Sequence, residues 1–159
     1  MNKMTLLFGL IVMLTGCTQK ESLDAKKIAE DFRVAWNGHD ISAVAKMYAP
    51  DAVMIGVEPE PVQGREAIQK GYESFLRAFP DLTMSYTHIF ADQDHFIVEG
   101  ISKGTNTGPM MTPDGEIPAT GRTINLRFAF FAKLNSEGLI VEDRTYSDNA
   151  EMMSQLGLN

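Results

Sequence analysis

The residues near the C-terminus that could do chemistry fall at alternate positions. Glu142, Arg144, Tyr146 and Asp148 share one side of the run 139–147 and so stand on one strand face, unless a bulge interrupts the count. If that face lines a pocket, Arg144 pairs with an acid there and lowers its pKa, which works against proton transfer. At a sheet rim the same Arg144 is one half of a solvated ion pair. His88 alternates with Leu82, Met84, Tyr86 and Phe90, and reads either as a hydrogen-bonded core residue or as a pocket-lining proton carrier. His39, in the turn Asn37-Gly38-His39-Asp40, reads as a loop or cap residue, and His95, beside a turn, as exposed. Arg127 alternates with Asn125 and Ala129 on a Phe-rich segment, where it either binds a carboxylate or faces solvent. Trp36, Phe75, Phe128, Phe130 and Tyr146 are ordinary core by default at this spacing, and candidates for apolar pocket walls.

Composition narrows the chemistry. The chain has 159 residues, 44% of them hydrophobic, which suits one domain with one core. Fourteen Lys and Arg against 21 Asp and Glu give a net charge of −7, which repels phosphate backbones and argues against nucleic acid as a partner. One Cys excludes an internal disulfide and a multi-thiolate site, and three His with no close pairing make a zinc site implausible, so no metal is expected.

That one cysteine, Cys17, has a different context. Lys3 precedes an apolar run over residues 4–14, broken only by Thr5, and the run ends in Leu14-Thr15-Gly16-Cys17. It is shorter than the ~20 residues needed to span a bilayer, and suits the hydrophobic region of an export signal. The four residues resemble the bacterial lipobox, whose cysteine is acylated and becomes the mature N-terminus. The plainer alternative is a cleaved signal with an incidental thiol. The resemblance implies a lipid anchor on Cys17. Thr18 follows, where an Asp argues for inner-membrane retention in many enteric-type bacteria, so in a Gram-negative host the resemblance implies the outer membrane, facing the periplasm. Removing residues 1–16 takes away one Lys and no acid, so the charge moves from −7 to −8. The acyl chains, each buried methylene contributing about 0.8 kcal/mol, do the anchoring. The expected division is a signal peptide over 1–16, the lipidated Cys and a polar tether over 17–21, and one domain over 22–159.

Within that domain, Ala25, Ile28, Ala29, Phe32, Ala35 and Trp36 recur at helical spacing. Asp40 can cap a second helix that Pro50 ends, and residues 64–79 form a third helix closed by Pro80. A short strand is expected over 52–55. The period then changes to two: strands are expected over 82–90, 95–103, 122–134 and 139–147, with a terminal helix over 149–156. The stretch 104–121, with four Gly and three Pro, reads as one long loop. There Met110 and Met111 could adapt to an apolar ligand or pack locally. Helices first and antiparallel strands afterwards mean α+β, a curved antiparallel sheet covered by N-terminal helices into a cone whose mouth can take a small apolar ligand.

This order resembles the nuclear transport factor 2-like superfamily, a cystatin-like α+β roll, and most closely its SnoaL-like polyketide cyclase and ester cyclase branch. The residues that carry the resemblance are Trp36-Asn37-Gly38-His39-Asp40, Tyr48-Ala49-Pro50-Asp51-Ala52, Gly64-Arg65-Glu66-Ala67-Ile68, Phe79-Pro80-Asp81-Leu82, Gly104-Thr105-Asn106-Thr107-Gly108, Thr120-Gly121-Arg122, Tyr146-Ser147-Asp148 and Gln155-Leu156-Gly157. In such cyclases the Asp ahead of the Gln-Leu-Gly tail is the acid/base, which implies Asp148. One carboxylate in an apolar pocket can remove a proton from an activated carbon and return it to the forming alkoxide, with neither metal nor organic cofactor. The alternative is that Asp148 caps the terminal helix. Relatives commonly read Gly-Thr-His-Thr-Gly where this chain has Asn106, which can hydrogen-bond but cannot take a proton. The candidate lining residues of a substrate pocket are then Trp36, His88, Asn106, Arg127, Arg144 and Tyr146. Two functions stay open: a cofactor-independent cyclase or isomerase acting on a hydrophobic carbonyl compound, and a non-catalytic module that binds a small molecule or an envelope protein. Sheet-to-sheet dimers are common in the superfamily, so a homodimer is implied as an option.

Overall fold

The computed structural model describes residues 23–56, 60–112 and 115–158; the signal, Cys17 and its tether lie outside the described residues. The elements run α1 (Ala25–Asn37), α2 (Ile41–Lys46), β1 (Tyr48–Ile55), β2 (Val62–Gln63), α3 (Arg65–Ala78), β3 (Thr83–Ala91), β4 (His95–Thr105), β5 (Met110–Thr112), β6 (Gly115–Ile117), β7 (Thr123–Leu134), β8 (Ile140–Ser147) and α4 (Asn149–Leu156). Six strands form one sheet in the order β2-β1-β8-β7-β4-β3. All pairs are antiparallel except β1 with β8, so the α+β sheet is mixed where a purely antiparallel one was expected. The stretch 104–121 is also less irregular than its Gly and Pro content suggests, because β5 and β6 pair within it.

The helices begin where short polar side chains can satisfy free backbone N–H groups. Asp24 accepts from Lys27 N and Asp40 from Ala43 N, each at 2.9 Å. Along α1, Ala25, Ala29, Phe32 and Trp36 are buried on one stripe against β3 and β4, while α3 lies over β1. The turn after α1 ties helix to sheet. Asn37 Nδ2 donates to Met84 O at 2.8 Å and Asn37 Oδ1 accepts from Met84 N at 2.7 Å, so one side chain serves the backbone of the edge strand β3. His39 adopts φ 55° and sets its Nε2 2.9 Å from Leu82 O. The Trp-Asn-Gly-His-Asp segment is therefore the joint between α1, β3 and α2.

Two bulges decide which side chains face the helices. In β3, Tyr86 pairs with Gly100 but His88 pairs with Glu99, so Thr87 is an extra residue. In β8, Glu142 pairs with Lys133 but Ile140 pairs with Leu134, so Val141 is extra. Beyond each bulge, every side chain changes face relative to simple alternation.

Candidate functional site

The bulge at Val141 turns Asp143 inward. It stands opposite Ala132 of β7 and beside Met54 of β1, and it is fully buried. Its Oδ2 accepts from the Tyr48 hydroxyl at 2.5 Å, and the Tyr48 and Tyr72 hydroxyls lie 2.7 Å apart. Tyr48 has one hydroxyl proton and gives it to the carboxylate, so Tyr72 donates to Tyr48. Each member of this chain has its own support. Tyr48, at the start of β1, has its carbonyl oxygen held by Arg65, whose Nε donates at 2.7 Å alongside a second guanidinium nitrogen. Arg65 follows Gly64, whose φ of +88° turns the chain from β2 into α3. Tyr72 sits seven residues further along α3.

Aromatic rings surround the triad. The Trp36 ring meets Tyr72 edge-on, with centroids 4.9 Å apart, and Phe32 packs on Phe130 at 5.1 Å. Tyr86 meets Phe128 at 6.3 Å across Gly100. A Cβ on Gly100 would come within 2.8 Å of the Phe128 ring and 2.4 Å of Ser85 O, so only glycine lets Phe128 lie across the strand.

Burial in these surroundings pushes the Asp143 carboxyl up to about 7; the bond from Tyr48, with the Tyr72 hydroxyl behind it, opposes that rise, and the neighbouring Glu142 charge adds to it. The Tyr48 and Tyr72 hydroxyls are raised well above their ordinary value, again chiefly by burial. Three buried side-chain polar atoms have no hydrogen-bond partner among the described residues: Asp143 Oδ1, Trp36 Nε1 and Tyr86 Oη. A buried polar group left unpaired costs about 1–3 kcal/mol. Because Oδ2 already accepts from Tyr48, Oδ1 is the oxygen that receives a proton when Asp143 is neutral.

The residues picked out in the sequence are not brought together. Asp148 is exposed and serves as the N-cap of α4, accepting from Glu151 N at 2.9 Å, so its carboxylate stands in solvent and not in an enclosed pocket. Tyr146 shares its exposed face and is 60% accessible. Arg144 is exposed and held by Glu142, with Nε donating at 2.8 Å, the solvated rim pair that was one of its two readings. Glu142, Arg144, Tyr146 and Asp148 do share a face as parity implies, but it is the outer one. The Thr87 bulge likewise turns His88 outward, 3.3 Å from Glu99. Arg127 is exposed on the outer face of β7. Asn106 is buried but engaged: Nδ2 donates to Ala78 O and Gly108 O at 3.1 and 2.8 Å, and Oδ1 accepts from Thr120 N at 2.8 Å. It clamps the end of α3 to the β5–β6 segment. Of the expected pocket residues, only Trp36 reaches the interior cluster.

The sequence reading does not single out Asp143, Tyr48, Tyr72 or Tyr86 as candidates for chemistry. Val141 carries no mark of the bulge that reverses β8. A usable signal was present all the same, since Tyr48 and Tyr72 lie on otherwise apolar faces and buried phenols need a polar partner. Two surface hollows, one between α2 and α3 beside His39 and Arg77 and one at the start of α3 beside Lys70, include neither Asp143 nor its phenol partners.

Residues 26–156 match the family model of the SnoaL-like polyketide cyclases, and residues 1–18 match that of the prokaryotic membrane lipoprotein lipid attachment site. Among curated proteins nothing matches the chain. Among solved structures, AclR from Streptomyces galilaeus is 25% identical with a TM-score of 0.72, covering 84% of this chain and 95% of its own. IdmH from Streptomyces antibioticus is 24% identical with a TM-score of 0.69, covering 85% of this chain and 99% of its own. TsrD from Streptomyces laurentii is 19% identical with a TM-score of 0.71, covering 84% and 95%. The attachment-site match supports export and membrane anchoring. With the cyclase match running from α1 to the end of α4 and the same fold in these neighbours, the chain belongs to the SnoaL-like polyketide cyclase family.

Proposed function

We propose that this protein is a cofactor-independent acid/base enzyme acting on a small hydrophobic carbonyl compound, with Asp143 as the proton carrier in place of Asp148. The observation that carries the reading is the asymmetry of the Asp143 carboxyl: one oxygen is bound by Tyr48 and the other is buried and unpaired. Ionised Oδ1 removes a proton from the carbon next to a carbonyl; the C–H bond breaks, an O–H bond forms on Oδ1, and the electron pair moves into an enolate. The proton then returns from Oδ1 to another carbon, giving isomerisation, or to the alkoxide made when the enolate carbon attacks a second carbonyl, giving ring closure. A carboxyl lifted to about 7 is matched to both directions near neutral pH. The Tyr72–Tyr48 chain steadies the charged form and holds Oδ2 out of the reaction.

The test is deuterium incorporation next to the carbonyl of simple cyclic ketones, followed by NMR. Wild type should accelerate it, and Asp143→Asn should lose at least about a hundredfold of the acceleration. Equal rates in the two proteins would remove Asp143 from the chemistry.

The lipid attachment-site match supports holding this chemistry at a membrane surface through Cys17, at the periplasmic side of the outer membrane if the residue after Cys17 directs sorting as it does in enteric-type bacteria. The domain then begins near residue 22. A second reading is favoured by the outer sheet face, where Phe90 and Tyr146 are 57% and 60% accessible: this face would hold an envelope protein or a second copy of the chain, with the interior acid structural. Ketone exchange that depends on Asp143 separates the two.

A further inference from the structure

The chain enters the described fold at one end of the sheet. Leu23 packs over Gly138 in the β7–β8 turn, where a Cβ on the glycine would lie 3.3 Å from Leu23 Cδ2. Beside it, Leu134 N donates to Asp94 O at 2.7 Å and joins the end of β7 to the β3–β4 turn. Residues 18–22 alone separate Leu23 from Cys17. Extended chain spans about 3.5 Å per residue, so an acylated Cys17 holds this end of the sheet within about 20 Å of the bilayer.

The outer face carries an apolar row at the same end. Phe90 of β3 pairs with Ile97 of β4, and Ile97 pairs with Phe131 of β7. Phe90 and Ile97 are exposed, and Phe131 is half-buried. Ile97 lies two residues from the start of β4 and Phe131 three from the end of β7. At a strand rise of about 3.3 Å per residue, the row is about 10 Å from the end that the anchor holds. Imidazoles flank it. His88 stacks on Phe90 with ring centroids 6.1 Å apart, and His95 tilts against Phe131 at 5.3 Å. Rings with an apolar body and a polar tip suit the boundary between acyl chains and headgroups.

Charge decides which headgroups the row can meet. Arg144, opposite Phe131 in the ladder, is bonded to Glu142, and Lys133 stands opposite that same Glu142. His88 and His95 lie 3.3 and 2.5 Å from Glu99 and Asp94. Among the described residues the cations around the row are matched by acids, so no basic patch is left there to attract anionic lipid.

We propose that the row Phe90, Ile97 and Phe131 rests on the bilayer that carries the Cys17 anchor, among zwitterionic headgroups. The anchor keeps lipid at high local concentration, so a small apolar contact is enough to hold the face down. The far end of β4, with β5 beyond it, then points away from the membrane. This contact rests on the Cys17 anchor and is independent of the chemistry of Asp143.

The test is photocrosslinking of the full chain, exported and processed in a bacterial host and reconstituted in phosphatidylcholine vesicles. Three variants each carry one photoreactive residue: Phe90→p-benzoylphenylalanine, Ile97→p-benzoylphenylalanine and Met111→p-benzoylphenylalanine. The mass of the mature chain reports acylation of Cys17 separately, and an unacylated chain would remove the contact together with its anchor. After irradiation, the Phe90 and Ile97 variants should give adducts heavier by one phospholipid. Met111 is comparably exposed but lies on β5, past the far end of β4, and its variant should give none. Adding Phe90→Ser to the Ile97 variant should lower its lipid adduct by up to about tenfold, the scale of withdrawing one phenyl ring from an apolar surrounding. Replacing half of the lipid with phosphatidylglycerol should leave the yields within about twofold. Absence of lipid adducts at both Phe90 and Ile97, equal lipid adducts at Met111, or yields that rise severalfold with phosphatidylglycerol would overturn the proposal. Adducts of doubled protein mass in place of lipid adducts would also overturn it, and would give this face to a second copy of the chain.

Discussion

Tyr48 donates to Asp143 Oδ2 at 2.5 Å and leaves Oδ1 of the same carboxyl with no partner among the described residues, although Asp143 is fully buried. A carboxylate kept only for structure is ordinarily satisfied on both oxygens, because each unmade bond in an apolar surrounding costs stability. The one-sided arrangement holds the group in place by one oxygen and keeps the other available. It also fixes how the fold responds to pH. The folded carboxyl is raised from 3.8 to about 7, so the folded state retains a proton that the unfolded chain releases.

The Asp143 contribution to stability should therefore be full below about pH 4, be lost as pH rises from about 4 to 7, and stay lost above, while a carboxyl held below its ordinary value, such as Asp81, contributes with the opposite sign. Asp143→Asn removes the titrating group and should flatten that profile, so the variant gains on wild type at pH 8 and not at pH 4. Urea unfolding at the two values checks this. A difference between wild type and variant that stays constant from pH 4 to pH 8 would mean that the fold does not raise the Asp143 carboxyl.

Tyr48→Phe should move the carboxyl further up. The lost bond favours the charged form, and a hydrogen bond to a charged group is worth about 1.5–3 kcal/mol, or about one to two pH units. The rising limb of any ketone-exchange rate should shift upward in pH by that interval, with kcat retained at the new plateau. The Asp143 carboxyl carbon resonance gives the same shift without substrate. A limb that stays near 7 would leave Tyr48 without influence on the acid.

How far the sequence could be read divides at the bulges. The helices, the four long strands and the α4 segment follow from periodicity, because 3.6- and 2-residue repeats are written along the chain. Asp143 was not legible. Alternation from the core residue Ile140 points Glu142 inward, and only the extra residue at Val141 exchanges the two acids. His88 was misplaced for the same reason at Thr87. Pairing register arises between strands distant in sequence, so neither strand states it alone. The family-like segments carried the architecture instead: Arg65 of Gly-Arg-Glu-Ala holds the Tyr48 carbonyl, and Asp81 of Phe-Pro-Asp-Leu accepts from Thr105 N at 2.6 Å.

Asp148 gives a direct comparison between family analogy and geometry. Its Oδ1 caps α4 through Glu151 N, and Asn caps helices about as well as Asp. Asp148→Asn should leave ketone exchange within about twofold of wild type, whereas Asp148→Ala should cost about 1 kcal/mol of stability through loss of the cap. A fall in exchange of about a hundredfold in the Asn variant, with the fold intact, would return the acid/base role to Asp148.

Asn106→His introduces the residue that the family resemblance implies in this segment, and a substitution toward a family's usual residue ordinarily stabilises a fold. The opposite is expected here. Asn106 donates twice, to Ala78 O and Gly108 O, and accepts from Thr120 N, all from one buried amide. Neutral imidazole has one donor and one acceptor set on a rigid ring, so at least one of these backbone groups loses its partner. The segment cannot move to compensate, because Gly108 lies so close to Arg77 O that a Cβ there would be 2.0 Å away. With one or two buried groups unpaired at about 1–3 kcal/mol each, the variant should unfold at lower temperature, and fluorescence of Trp36 and circular dichroism should report one shared transition. Ketone binding should persist below that transition, since Asn106 faces the β5–β6 segment and not the Asp143 cluster. A midpoint equal to or above that of wild type would show that the clamp is replaceable.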